Sequence, residues 1–252
     1  MFYQAKRDLL KNKIILITGA GDGIGREAAI TYSKYGASVI LVGRTLNKLN
    51  AVKKNIAEAG NPEAYVLVID LLSPDPESYK SAALHLSYKI SRLDGLLNNA
   101  AILGDIAPMI QQNPTRWCEV ISVNVNGTFM LTQALLPLLL KKRGSSLIFS
   151  TSSVGRKGRA NWGSYSVSKF ATEGMMQIIS EEYPASILRV NCINPGATRT
   201  KMRTAAYPKD NPKTLLPKDI MPIYLYLMGD DSREISGVSF DAQCDCKSNT
   251  KH

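Results

Sequence analysis

Apolar residues recur along this chain in two alternating rhythms. Short runs rich in Ile, Val and Leu, such as Ile14–Ile17, Ser38–Val42 and Tyr65–Ile69, contain almost no polar position, the pattern of strands buried on both faces. Between them lie longer amphipathic stretches over Ile24–Tyr35, Thr45–Ala59 and Glu77–Ile90, with apolar residues at helical spacing. Thr45 offers the second of these an N-cap and Gly60 a stop. Further strands are predicted over Gly95–Asn98, Ser146–Ser150, Arg189–Ile193 and Val238–Asp241. Helices are predicted over Pro114–Lys142, Ser164–Tyr183 and Pro217–Met228, with Pro137 expected to kink or restart the first.

Repeated strand–helix alternation implies an α/β fold: a Rossmann-type, doubly wound parallel sheet of about seven strands, with helices on both faces. No repeat and no Pro-, Gly- or Ser-rich linker divides the chain, so residues 1–242 read as one domain and 243–252 as a frayed polar tail. Such sheets bind ligands beyond the carboxyl ends of their strands. The polar punctuation falls at that end: Thr18–Gly25, Gly43 and Arg44, Asp70, Asn98–Ala101, Ser150–Ser153 and Asn194–Thr200.

Composition narrows the picture. The 252 residues are 44% hydrophobic, enough for a sizeable core, and contain no 18-residue apolar run, so no membrane span is expected. The N-terminus lacks the apolar centre of a signal peptide, which points to the cytoplasm. Of four cysteines, Cys118 and Cys192 sit in apolar surroundings and read as small buried thiols. Cys244 and Cys246 would need two further metal ligands, and the only histidines are His85 and His252, so no metal is expected. The net charge is +10, but the basic residues are scattered and not interleaved with aromatics. That argues for a solvated basic surface, with some charge facing an anionic ligand, over nucleic-acid binding.

The candidate chemistry begins at the first strand–helix junction. Gly19, Gly23 and Gly25 let the backbone turn tightly and approach a bound group, and the following helix presents free N–H groups to it. A phosphate fits there, although a ligand-free structural corner has the same pattern. Tyr165 and Lys169 share one face of a helix that starts near the expected cleft. An ammonium beside a phenol favours phenolate, so Lys169 is expected to lower the Tyr165 pKa and allow proton exchange with an alcohol or carbonyl. Ser152 could hold the substrate oxygen. Asn124 lies mid-helix, where asparagine is a poor helix former. It could hold a water, bend the helix or pack between helices.

Together, Thr18-Gly19-x-x-x-Gly23-x-Gly25, Asn98-Asn99-Ala100, Asn124, Ser152, Tyr165-x-x-x-Lys169 and Pro195-Gly196 resemble the short-chain dehydrogenase/reductase family in order and spacing, over roughly residues 12–241. The resemblance implies an oxidoreductase that exchanges a hydride between a nicotinamide cofactor and a small carbonyl or alcohol. It implies Tyr165 as general acid/base, Lys169 as its partner and a ribose ligand, Ser152 as the group that polarises the carbonyl, and Asn124 as anchor of a relay water. It places the cofactor against Gly19, Asp22, Gly23, Ile24, Gly25, Asp70, Asn98 and Ala100. It also places it against Pro195 and Gly196, with Thr198 and Thr200 at the carboxamide. Family members commonly pair through the long helices, so a homodimer or homotetramer is expected.

The second strand ends without the carboxylate that holds both ribose hydroxyls of NAD. Arg44 stands next, and an arginine can pair bidentately with a 2′-phosphate, so NADP(H) is expected over NAD(H). Asp22 sits awkwardly, a negative charge beside a phosphate-rich cofactor. Two departures from the family pattern are Ala101 in place of the usual glycine and Phe240-Asp-Ala-Gln-Cys at the C-terminal strand. Leu103, Val154, Trp162 and Met202 are candidate pocket residues, with Arg199, Lys201 and Arg203 on the segment after strand six. The competing reading is a dinucleotide-binding sensor or regulator with little turnover, against which the joint presence of Asn124, Ser152, Tyr165 and Lys169 argues.

Overall fold

Strand β1 (Ile14–Thr18) lies in the interior of a sheet in which every described pair of neighbours is parallel. The computed structural model describes residues 3–209 and 211–243, so Cys244, Cys246 and the end of the tail lie outside the described residues. The other strands are β2 (Ser38–Gly43), β3 (Tyr65–Val68), β4 (Gly95–Asn98), β5 (Ser145–Ser150), β6 (Leu188–Asn194) and β7 (Ser239–Asp241), in spatial order β3-β2-β1-β4-β5-β6-β7. The order reverses between β1 and β4, and the crevice at their carboxyl ends is where a doubly wound sheet binds its ligand.

Among the described residues eight α-helices connect and flank the strands: α1 (Gly23–Lys34), α2 (Leu46–Glu58), α3 (Pro76–Ser87), α4 (Pro114–Ile121), α5 (Thr128–Leu140), α6 (Gly163–Glu182), α7 (Lys201–Ala206) and α8 (Met221–Met228). Two apolar layers hold them to the sheet. On one face Ala28, Tyr32, Val52, Ile56 and Tyr224 pack α1, α2 and α8 against Ile15, Ile17 and Leu41. On the other, Tyr79, Leu131, Leu135 and Met176 pack α3, α5 and α6 against Leu16, Leu96 and Phe149. Each fully buried leucine in these layers stabilises the fold by roughly 1.5–3 kcal/mol through apolar surface removed from water. Arg189 is buried on β6 without a carboxylate, and its guanidinium donates to the carbonyls of Gly144, Leu227 and Ser232. Hydrogen bonds to carbonyls take the place of lost hydration there, and they tie the end of α8 to the sheet.

Several local expectations are corrected. The irregularity in the long helix lies at residues 122–127, a wide π turn between α4 and α5, and α5 runs through Pro137. Thr45 precedes α2 but makes no side-chain capping bond. Cys118 is exposed on α4, because its side of the helix faces away from the sheet, while Cys192 is buried. The continuous helical stretch Pro114–Leu140 is long and apolar enough to cross a membrane by length and composition, with a mean hydropathy of 1.3 in its best window; half of that window is buried inside the fold.

Candidate active site

The junction between β1 and α1 is built around two left-handed glycines, Gly19 at φ +68° and Gly23 at φ +53°. Gly25 does not line the cleft. A Cβ there would stand 2.4 Å from the Gly19 carbonyl oxygen, so this glycine lets α1 close against its own turn. Thr18 fixes the neighbouring strand end: its hydroxyl oxygen accepts from the backbone N–H groups of Asn99 at 2.9 Å and Ala100 at 3.0 Å. Among the described residues only Asn12 and Asn161 are non-glycine residues with positive φ, so Ala101 takes an ordinary negative φ and fits without strain where the family favours glycine.

Asp22 is the N-cap of α1, accepting from the Gly23 N–H at 2.9 Å. It also pairs with Lys48 at 2.9 Å and Lys201 at 3.3 Å, and these partners hold its carboxyl below the usual range. The awkward charge is therefore outnumbered locally by two lysines. Lys201 opens α7, and Gly23 faces the Thr200 methyl group, so α7 is tied to the glycine turn at its first residue.

A cavity of about 540 Å³ runs along the carboxyl ends of the strands. Its walls include Gly19, Asp22, Gly23, Ile24, Arg44, Asp70, Ala100, Ser152, Tyr165, Lys169, Pro195, Gly196, Thr198 and Thr200, which the sequence placed there from seven separate segments. Among the described residues five cationic side chains line it (Arg44, Lys48, Lys169, Lys201, Arg203) against two carboxylates (Asp22, Asp70). With the glycine turn and the N-terminus of α1, this donor set fits an elongated phosphate-bearing ligand such as a nicotinamide dinucleotide. Arg44 is exposed.

Asn98 is a correction. It is buried, and its amide donates to Thr132 Oγ1 on α5 at 2.8 Å, because alternate side chains of β4 point to opposite faces of the sheet. Asn99 lines the cavity instead, with its own amide on the Thr18 carbonyl at 3.2 Å. Asn124 is also set back from the cavity. In the π turn it spans the segment after β4, accepting from the Ile102 N–H at 2.8 Å and donating to the Ile102 carbonyl at 2.9 Å and to Ser168 Oγ at 3.0 Å. Val154 is buried outside the cavity, and Arg199 turns to the Pro212 and Thr214 carbonyls, bracing the segment after α7.

Tyr165 and Lys169 stand one turn apart on α6, both buried. Lys169 Nζ lies 5.6 Å from the Tyr165 ring centroid and donates to the Ser150 carbonyl at 2.7 Å. Burial dominates both groups: it pushes the tyrosine up to about 12 and the lysine down to about 8. The expected lowering of the tyrosine pKa is thus absent, since desolvation of the phenolate outweighs an ammonium held by a carbonyl. Gly155 allows this arrangement: a Cβ there would stand 2.8 Å from the Lys169 backbone.

The profile of the short chain dehydrogenase family matches residues 13–211. The chain belongs to the short-chain dehydrogenase/reductase family. It is 57% identical to the uncharacterized oxidoreductase YciK of Escherichia coli K12 over 96% of each chain. The crystal structure of that E. coli oxidoreductase superposes with a TM-score of 0.94, covering 97% of this chain and 100% of the other. A Shigella flexneri short chain dehydrogenase complexed with NADP, also 57% identical, superposes at 0.93 over 95% of this chain and all of its own. A 3-oxoacyl-[acyl-carrier-protein] reductase of Thermotoga maritima is 30% identical over 90% of this chain and 95% of its own. As a short-chain dehydrogenase/reductase the chain is an NAD(P)-dependent oxidoreductase with a nicotinamide dinucleotide as cofactor and a small molecule as substrate.

Sequence reading missed Lys48 and Tyr207 as cavity residues, and placed Lys201 and Arg203 beside the pocket, where both line the cavity. Lys48 carried a usable signal, one turn beyond Arg44. Tyr207 stands just after α7, a helix too short to show a periodic pattern.

Proposed function

We propose that this short-chain dehydrogenase/reductase reduces a carbonyl compound with NADPH, or oxidises the corresponding alcohol with NADP⁺, and that Tyr165 is the acid/base. The observation that carries the reading is that one cavity wall holds Ser152, Tyr165 and Lys169 while the other holds the glycine turn, Arg44 and Lys48. When bound, the nicotinamide supplies or takes the hydride. Tyr165, protonated at neutral pH with its phenol near 12, is a proton donor for reduction. Ser152 holds the carbonyl oxygen by hydrogen bond and sets the direction of proton transfer. Lys169 brings positive charge to the ring as phenolate develops. Asn124 and Ser168 fix the segment at Ile102 relative to the turn of α6 that carries Tyr165.

Preference for NADP(H) rests on Arg44 and on the absence of a carboxylate at the end of β2. Arg44→Ala is expected to weaken NADPH binding by the worth of a charge-assisted pair, roughly 1.5–3 kcal/mol or about 10- to 150-fold, and NADH binding much less. Titration of both cofactors checks this, and equal loss for the two would remove the phosphate argument. A sensor that binds the dinucleotide without turnover would show no NADPH consumption across a panel of aldehydes, ketones and quinones; the proposed reductase consumes NADPH with some of them.

A further inference from the structure

From the aromatic corner beside Tyr165 we infer that the substrate carries an aromatic ring next to its reacting carbonyl. This rests on the reductase reading above. Trp162 lies 5.7 Å from the Tyr165 ring, centroid to centroid, and 5.9 Å from the Tyr207 ring, at tilts of 49° and 44°. Three rings from two elements thus meet at one end of the cavity: Trp162 and Tyr165 at the start of α6, and Tyr207 at the end of α7.

Neither Trp162 nor Tyr207 belongs to the two apolar layers that hold the sheet and helices together. Both are half-buried and line the cavity. Their ring surface is left facing a ligand space instead of filling the core, as binding sites do with aromatic side chains. Leu103, Met202 and Ala206 complete an apolar lining around them. Among the described residues the cavity's two carboxylates, Asp22 and Asp70, follow β1 and β3 at the glycine-turn side, so the described residues of the aromatic end offer no counter-charge to a cationic substrate. The Arg203 guanidinium is stacked on the Tyr207 ring at 3.8 Å, which fixes that ring in place.

The spacing excludes one mode of binding. Rings 5.9 Å apart at a tilt leave no slot for a third ring between them. A substrate ring instead meets the corner edge to face, with its carbonyl directed to the Tyr165 hydroxyl. Reduction is balanced as hydride from NADPH to the carbonyl carbon and the Tyr165 proton to its oxygen, giving an aryl-bearing alcohol and NADP⁺, with the tyrosine reprotonated from solvent.

Apolar burial and ring recognition make opposite forecasts for a matched pair. Phenylacetaldehyde and cyclohexylacetaldehyde share a carbon skeleton and an unconjugated carbonyl. The cyclohexyl compound has the larger apolar surface, so burial alone favours it. Favourable ring–ring geometry adds about two- to tenfold per contact for the phenyl compound. The test measures kcat/KM with NADPH for both aldehydes on the full-length wild type, Trp162→Leu and Tyr207→Leu. In parallel, calorimetry measures binding of the unreactive 2-phenylacetamide and 2-cyclohexylacetamide to the NADPH complex. The expected result is a phenyl preference of about fivefold or more in both assays, falling toward one in each variant, while circular dichroism shows each variant folded. Equal or better handling of the cyclohexyl members by the wild type overturns the inference, whichever variants fold. If neither aldehyde nor any other carbonyl is reduced, the reductase reading fails, and the amide pair, which needs no turnover, still decides between ring recognition and plain burial.

Discussion

At the scale of single residues, the site sets ionisable groups against burial. Lys169 donates to one backbone carbonyl and otherwise has lost its water, so its ammonium titrates near 8 in place of 10.5. The unfolded chain therefore holds more protons than the folded one between those two values, and stability rises with pH across that window. Below it, the buried ammonium costs about 3 kcal/mol. Lys169→Met is expected to abolish turnover yet stabilise the cofactor-free protein by roughly 1–3 kcal/mol at pH 7, with the rise toward pH 10 lost. Urea unfolding at the two pH values checks this; a variant less stable than wild type at pH 7 would show that the Ser150 hydrogen bond outweighs desolvation. Asp22 shows the opposite balance, a carboxylate kept ionised by two lysines and a helix N-terminus.

At the scale of elements, the site depends on irregular pieces placed between regular ones. The π turn at residues 122–127 carries Asn124 to Ile102 and Ser168, joining the segment after β4 to α6. Asn124→Ala leaves the half-buried Ile102 N–H and carbonyl without that side chain, a loss of roughly 1–2 kcal/mol. A lower melting temperature together with a lower kcat is expected, with NADPH affinity nearly kept. Unchanged kcat in a destabilised variant would reduce Asn124 to a packing residue. The strands and long helices were legible because burial on two faces and helical periodicity leave unmistakable patterns, as at Ile14–Ile17 and Ser164–Tyr183. The convergence of Ser152, Tyr165 and Lys169 on one cavity was legible through joint spacing. The face of Asn98 was not, since neighbouring asparagines on one strand differ only in register. Tyr207 was not, since the helix it follows, α7, has only six residues. The dominance of burial over charge at Tyr165 was not, because depth is a property of the assembled sheet and helices.

Over the whole molecule, the parallel sheet gathers residues from Thr18 to Tyr207 into one cavity, and α7 spans it. Its first residue is paired with Asp22, and the residue after its end lies against Trp162. One short helix thus touches both the glycine turn and the aromatic corner. In the proposed function the glycine turn, Arg44 and Lys48 hold the dinucleotide phosphates while Tyr165 supplies the proton, so a change at the phenol alone is expected to separate turnover from cofactor affinity. The decisive measurement is Tyr165→Phe, assayed for NADPH oxidation with the best carbonyl substrate and, in the same preparation, for NADPH affinity. Turnover lowered by at least about 10²-fold, the lower range for general acid–base catalysis, with cofactor affinity nearly unchanged is the predicted result; turnover at the wild-type rate would contradict it.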